Sequence, residues 1–447
     1  MTEAVIKKGC AVFSFFILTA CSGGSSSPSP TPTPTPAPQE AAEVTWLKQN
    51  AHEVSSTNPS NTDYSDLASF GAAVGNTTIV AIGEQDHTSG TSLDLKTRLV
   101  KYLHEKKGFD VLMIESGMFD VSRIWQLMQG GQHADDVGND AIFSMYSRTA
   151  EGRTVLQYVD SQYGTANPLV LSGMDSNLYG NLSRTDLFPM FEAFLGPRSS
   201  TALASPEWTN YKAVALLAMH FTQTRPPQNE LDDFYTASTQ LESELCSAQA
   251  DTYAFPDSPS FWCLTTKGLR DEVDRYFNVA GFNVGGMRDT HMAENANWLM
   301  DHALAGHKII IWAHIGHIFR YRAADPTVWS MGTVLDATYA RKIYVASITA
   351  SEGTVLDIQG DTTYSMPAGY NVTRTIDADP AGSVEDVLRQ SGKAYQFVDA
   401  TLNPPPAAFA AMTAKNFGFF AGTPTGLACC YDGLFYMLTT TPVTINR

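Results

Sequence analysis

Positive charge is scarce in this chain. It carries 29 Lys and Arg against 46 Asp and Glu, a formal net charge of -17 over 447 residues. A globular part so charged repels phosphate, which argues against nucleic acid and anionic lipid as partners. Cysteine is sparse as well, with six in all. None has the C-x-x-C spacing of a zinc site, so a metal-stapled fold has no support and no metal ligand is assigned. Chemical signatures are also missing. There is no G-x-S-x-G elbow for a serine nucleophile and no H-E-x-x-H. No P-loop or G-x-G-x-x-G follows a predicted strand, so phosphoryl transfer and nucleotide-driven redox lose their usual supports and no cofactor is expected. No internal repeat is present.

What remains is an ordinary globular balance, 43% hydrophobic and 17% charged. The length allows one large domain or two smaller ones. The N-terminus reads differently. Lys7 and Lys8 precede a short apolar run over 11–18, which is too short for a membrane span. Leu18-Thr19-Ala20-Cys21 then resembles a bacterial lipobox, in which cleavage before the cysteine leaves it to carry the lipid. Residues 1–20 are thus expected to be a lipoprotein signal peptide, with lipid on Cys21. Ser22 follows, which by resemblance favours the outer membrane. Residues 21–40 alternate Pro, Ser and Thr, as an extended tether does. The domain is expected over 41–447, in the cell envelope, joined to the membrane through Cys21. Cys246 and Cys263 enclose a short loop and are the preferred disulfide pair in an oxidising compartment. Cys429 and Cys430 are adjacent and their pairing stays open.

Along the domain, apolar runs alternate with helical periodicity. Strands are predicted at 77–83, 109–115, 168–174, 307–313 and 342–349, with weaker ones at 353–358, 395–399 and 433–440. Helices are predicted at 42–54, 92–107, 119–129, 137–162 and 287–306. The alternation implies βαβ units and an α/β fold, a mostly parallel sheet with flanking helices. Between 185 and 285 only helices read convincingly (208–221, 228–250 and 266–278), so this stretch is expected to be an inserted cap.

Several strands run into ionisable residues at their C-terminal ends. TTIVAIG leads to Glu84 and His87, FDVLMI to Glu115, PLVLSGM to Asp175, and HKIIIWA to His314 and His317. Ligands of open α/β sheets bind beyond those ends. Carboxylates and imidazoles gathered there suit proton transfer or metal chemistry. Glu84 can orient the His87 ring and leave its other nitrogen as a base. Glu115 needs a partner beside a buried sheet, and Arg98, Arg288 and His87 are the candidates. His314 and His317 converge only on a turn, which leaves room for one of them to be structural. Arg288, His291 and Asn295 share a helix face. Arg288 there suits either a clamp on a substrate oxygen or an ion pair with Asp289 or Glu115.

Four stretches together resemble the erythromycin esterase family. Its pattern has G-E-x-x-H-G after a first strand, a strand ending in Glu, R-D-x-x-M-A-E-N at a helix start and W-A-H-N-x-H at a strand end. Here these read GEQDH (83–87), MIES (113–116), RDTHMAEN (288–295) and WAHIGH (312–317), and the likeness extends over roughly 75–442. The resemblance implies hydrolysis of a carboxylic ester or lactone by water, with His87 as general base and no acyl-enzyme. It implies that Glu84 and Glu115 orient that base or the water, and that His314 and His317 support the site or the oxyanion. It makes Arg98 and Arg288 polar binding groups, and Asp175 and His291 are counted with them as substrate-binding candidates. The partner would be a small ester or lactone. Thr88, Thr91 and Ile315 stand where the family pattern has glycine, glutamate and asparagine, so a macrolide is not carried over as substrate. Two alternatives remain at this stage: a metal-dependent hydrolase using Glu84, His87, Glu115 and His314, and a surface lipoprotein that binds a ligand without turnover.

Overall fold

The computed structural model describes residues 40–220, 224–247, 254–278, 285–320, 330–356, 372–415, 427–428 and 430–446. Cys21, the expected signal segment, nearly all of the expected tether and Cys429 lie outside them. Among the described residues nine strands form the sheet: β1 (Ala51–Glu53), β2 (Ile79–Glu84), β3 (Val111–Gly117), β4 (Val170–Asp175), β5 (Ile309–His314), β6 (Tyr344–Leu356), β7 (Thr373–Thr375), β8 (Tyr395–Asp399) and β9 (Gly433–Thr440). The order is β1-β8-β9-β6-β2-β5-β3-β4, with β7 beside the end of β6. The central strands are parallel, and β1, β7 and β8 pair antiparallel.

The central strands are apolar throughout because both their faces are covered. All residues of β2, β3 and β5 are buried. Unbroken Val/Ile/Leu runs are what a doubly covered parallel sheet requires. Alternation divides these side chains between two cores. Ile79, Ala81, Val111, Met113, Ile309 and Ile311 join the core that holds the cap helices. Val80, Ile82, Leu112, Ile114, Ile310 and Trp312 join the core of the helix Gly90–Lys107. That helix is capped at both ends. The Ser89 hydroxyl accepts the Ser92 N–H (3.2 Å), and Gly108 closes it at φ +70°, the left-handed turn that glycine adopts freely.

The structure redraws some predicted boundaries. The helix expected over 42–54 stops at Asn50, and residues 51–53 pair with β8 as an edge strand. The stretch 137–162 is three helices: Ala134–Val137, Ser144–Ser147 and Ala150–Gln162. Asp140 turns the chain at φ +59°, and Thr149 caps the last helix by accepting the Gly152 N–H (3.2 Å). Of the weak strand expected at 353–358, residues 353–356 are the end of β6 and 357–358 lie outside the described residues. Helix 266–278 starts earlier, as Pro259–Val273, and ends in a π-helical turn over Asp274–Asn278.

Between β4 and β5 the described residues contain no strand. The helices Asn181–Leu195, Trp208–Met219, Gln228–Leu245, Pro259–Val273 and Gly285–Asp301 occupy this stretch. Trp262 lies at its centre, stacked on Phe191 with ring centres 4.6 Å apart. Cys246 and Cys263 form a disulfide across a sequence separation of 17. Closing a loop of that size removes unfolded-chain entropy equivalent to about 3 kcal/mol. Cys263→Ser is therefore expected to lower the unfolding free energy in urea by about that amount. An unchanged midpoint would show that the bond does not brace the helical segment.

Candidate active site

Alternation also decides where each strand end sends its last side chain. Val80 and Ile82 face the core of the helix Gly90–Lys107, so Glu84 points that way. Val111 and Met113 face the other core, shared with the helix Gly285–Asp301, so Glu115 points there. Each carboxylate meets a cation from the helix on its own side. Lys96 Nζ bonds Glu84 Oε2, and it also donates to the Ala313 carbonyl at 3.1 Å. The ammonium lies 4.2 Å from the centre of the Trp312 ring, a cation–π contact. Burial would raise the Glu84 carboxyl, but Lys96 and then His87 outweigh it and hold it down to about 2.

Arg288 performs the matching task on the other face. Nε donates to Asp175 Oδ1 (3.0 Å), while Nη2 bonds Asp175 Oδ2 and Glu115 Oε1 (3.1 Å). The second Glu115 oxygen accepts the His314 backbone N–H at 2.7 Å. Burial opposes ionisation of Glu115, yet the neighbouring His317, His87 and Arg288 hold it well below the usual carboxylate range.

The three histidines have different roles. His314 ends β5 opposite Glu84 in register. Its Nδ1 accepts the Gly316 N–H (3.0 Å), so the ring proton sits on Nε2 and is donated to the Gln85 carbonyl (2.9 Å). Burial, helped by His87, pushes its pKa down to about 4, so this ring is neutral. His317 lies between Asp289 Oδ1 (2.8 Å) and Glu115 Oε1 (3.2 Å). Burial resists its charge, but Asp289 and Glu115 prevail and raise it to about 10. As an imidazolium it donates to both. Arg288 Nη1, 3.1 Å from His317 Nε2, then faces a donor and makes no hydrogen bond with it.

His87 has 17% of its side chain accessible, as has His317. Its Nδ1 lies 2.9 Å from Glu84 Oε1. The Tyr146 hydroxyl donates to the same oxygen (3.1 Å) and lies 3.2 Å from Nδ1. Nε2 has no hydrogen-bond partner among the described residues. Burial pulls the pKa of His87 down, while the Glu84 hydrogen bond and the charges of Glu115 and Glu84 raise it above the ordinary value. The His314 ring is 4.9 Å away.

The turn that carries His87 is held from outside. Asp86 Oδ1 accepts the Thr88 N–H (2.9 Å), and Arg374 on β7 donates to the other Asp86 oxygen (2.9 Å). The Thr88 hydroxyl accepts the Leu356 N–H at 3.0 Å, tying the turn to the end of β6. Gly83 has a steric reason: a Cβ there would lie 2.7 Å from Ile315 Cα, inside the turn that follows β5.

The structure thus brings Glu84, His87, Glu115, Asp175, Arg288, His314 and His317 together. It places two other candidates elsewhere. Arg98 is fully buried and turned away, bonded to Asp66 (2.7 and 3.0 Å) and to the Ser56 and Asp63 carbonyls. Two helical positions separate it from Lys96, which puts the two on opposite faces. His291 joins helices instead, with Asp271 at 3.0 Å and the Leu264 carbonyl at 3.1 Å. Sequence reasoning missed Lys96 and Tyr146. Lys96 was findable, because it interrupts the buried stripe Leu93, Leu99, Val100 and Leu103 of its helix. As a metal donor set the cluster does not fit. His314 has both nitrogens committed, and the carboxylates already serve Lys96, Arg288 and His317.

The fold and the site define an α/β protein with a carboxylate–imidazole crevice at the C-terminal ends of its parallel strands. The model of the erythromycin esterase family matches residues 104–435, and the chain belongs to that family. The matched stretch contains Glu115, Asp175, Arg288, His314 and His317, while Glu84, His87 and Lys96 precede it. A relative described as "Putative hydrolase YbfO" of Bacillus subtilis (strain 168) is 24% identical over 376 residues, 79% of this chain and 80% of its own. Among solved structures, a succinoglycan biosynthesis protein superposes with a TM-score of 0.69 at 17% identity, covering 90% of this chain and 98% of that one. An erythromycin esterase EreC mutant in its open conformation gives 0.63 at 17% identity, over 86% and 96%. These likenesses show the fold.

Removing one member of a buried ion pair leaves the other uncompensated, at about 3–5 kcal/mol. Lys96→Met is expected to destabilise the protein by that order in urea unfolding, and adding Glu84→Leu is expected to restore much of it. A wild-type midpoint for Lys96→Met would show that the pair does not hold the site.

Proposed function

We propose that the protein hydrolyses a carboxylic ester or lactone with His87 as general base. Family membership and the likeness to a hydrolase support hydrolysis. The observation that carries the finer reading is the His87 ring itself. One nitrogen is fixed on Glu84, the other has no partner among the described residues, and the ring lies beside His314 and within electrostatic reach of Glu115.

In this scheme a water bonded to His87 Nε2 gives up its proton and attacks the carbonyl carbon. The tetrahedral oxyanion requires donors. Among the described residues Arg288 Nη1 bonds no carboxylate, and it supplies one such donor. The His87 imidazolium then returns its proton to the departing alkoxide, and acid and alcohol leave. Asp175 and Glu115 hold the guanidinium in place. His314, fixed as a neutral ring, is a brace. Tyr146 and Lys96 position Glu84. In the same proposal the domain is anchored at the cell envelope through lipid on Cys21, on the strength of the N-terminal sequence alone.

Positioned acid–base catalysis contributes about 10²–10⁴-fold, so His87→Ala is expected to lose at least about 100-fold in kcat/KM on a responsive ester or lactone while keeping its fold. Equal turnover by wild type and variant would overturn the assignment, and binding without turnover by wild type would favour the ligand-binding alternative. Only neutral His87 accepts a proton. Its pKa is raised above the free value of about 6.5, so the rate is expected to climb with pH through that raised value. Glu84→Gln removes the carboxylate that raises it, so the acid limb of the profile is expected to move to lower pH. A limb that stays in place would separate His87 from catalysis.

A further inference from the structure

Phe143 and Tyr179 stack face to face, with ring centres 5.1 Å apart and planes within 18°. They belong to the surroundings of the active site. The Arg288 guanidinium lies 5.8 Å from the Phe143 ring centre, and the Tyr179 hydroxyl accepts Asn177 Nδ2 (3.2 Å) just beyond Asp175. The same two rings line a second cleft of about 170 Å³, together with Asp140, Ser144, Arg148 and Arg184.

The charges in that cleft are unevenly matched. Asp140 is engaged by Arg148, whose Nε and Nη2 reach its two oxygens at 2.5 and 2.6 Å. Arg184 is not engaged in this way. Its Nε donates to the Met219 carbonyl (3.2 Å), but Nη1 and Nη2 make no hydrogen bond and no ion pair among the described residues. Half-buried, it has its pKa lowered by burial, with Asp120, Glu272 and Asp140 offsetting this only in part. Asp120 is committed to Ser183, whose N–H and hydroxyl lie at 2.8 and 2.5 Å. Burial raises both Asp120 and Glu272 to about 7, so neither is fully charged near neutrality. The guanidinium fork is the uncompensated charge.

We propose that this cleft is an acid-recognition subsite, in which Nη1 and Nη2 of Arg184 bind a carboxylate at the end of the substrate remote from the ester carbonyl. The proposal rests on the esterase reading and narrows it to half-esters of dicarboxylic acids. A planar fork fits a carboxylate with two parallel bonds. A water takes up about 30 Å³ of liquid, so the cleft has room for a carboxylate and a short linker.

The test separates binding from turnover. Mono-anilides of succinic, glutaric and adipic acid carry the free acid and replace the ester by an amide. Each is titrated calorimetrically into wild type, Arg184→Leu and Arg184→Gln beside its methyl-capped counterpart, with circular dichroism and thermal melting as checks on folding. At least one free acid is expected to bind wild type about tenfold or more tightly than its capped form, the scale of one charged hydrogen-bonded pair. Both variants are expected to erase that difference. Equal affinity for acid and capped forms in wild type, or an unchanged difference in a folded variant, overturns the subsite. Hydrolysis of the matching half-esters is then measured. Arg184-dependent binding without hydrolysis would count against the esterase reading and not the subsite. Hydrolysis with no Arg184-dependent preference would count against the subsite alone.

Discussion

A carboxylate at the end of a dry parallel strand must find a cation, and the rest of this site follows from that requirement. Glu84, Glu115 and Asp175 end strands that are buried on both faces, and Asp289 stands nearby. Against these four acids the crevice sets Lys96, Arg288 and the His317 imidazolium. The site is one positive charge short, and His87 is the remaining group able to carry it. This imbalance is why the pKa of His87 is raised although burial alone would lower it. Charge compensation at the sheet edge and the strength of the proposed base are one electrostatic problem.

The two cations on fixed stems also join the layers. Lys96 ties the helix Gly90–Lys107 to β2, and Arg288 ties the helix Gly285–Asp301 to both β3 and β4. Asn295, two turns after Arg288, donates to the Met174 carbonyl (3.1 Å) on the same strand. The helical segment between β4 and β5 therefore returns to the sheet through the residues that build the crevice. Its inner helices are braced by the Cys246–Cys263 bond and packed around Trp262. In the proposed mechanism, substrate selection falls to side chains on this segment and on the Asp140 turn, and the proton chemistry to the strand ends.

Much of this was legible in the sequence because the signals were strong. Unbroken runs such as TTIVAIG and HKIIIWA mark strands covered on both sides, and the ionisable residue after each run marks the sheet edge where the crevice lies. What was illegible depended on angles. Arg98 and Lys96 share a helix and a charge, and only the alternation along β2 shows that Lys96 is the one facing Glu84. His291 was grouped with Arg288 by helical spacing, yet a rotation of about 60° turns it onto the helix Pro259–Val273 instead. Tyr146 was hidden inside a stretch read as one long helix, because the reversal at Asp140 leaves little periodic trace. The tautomer of His314 is set by a backbone N–H two residues on, which no spacing rule reveals.

The central claim is a pattern of ring protons, and nitrogen-15 NMR of labelled histidines reads it directly across pH. The account predicts His314 neutral with its proton on Nε2, His317 doubly protonated through neutral pH, and His87 titrating above the free-histidine value to a form with the proton on Nδ1. A His87 that titrates at the ordinary value or settles with its proton on Nε2 would contradict it, because the nitrogen assigned to activate water would then hold no lone pair.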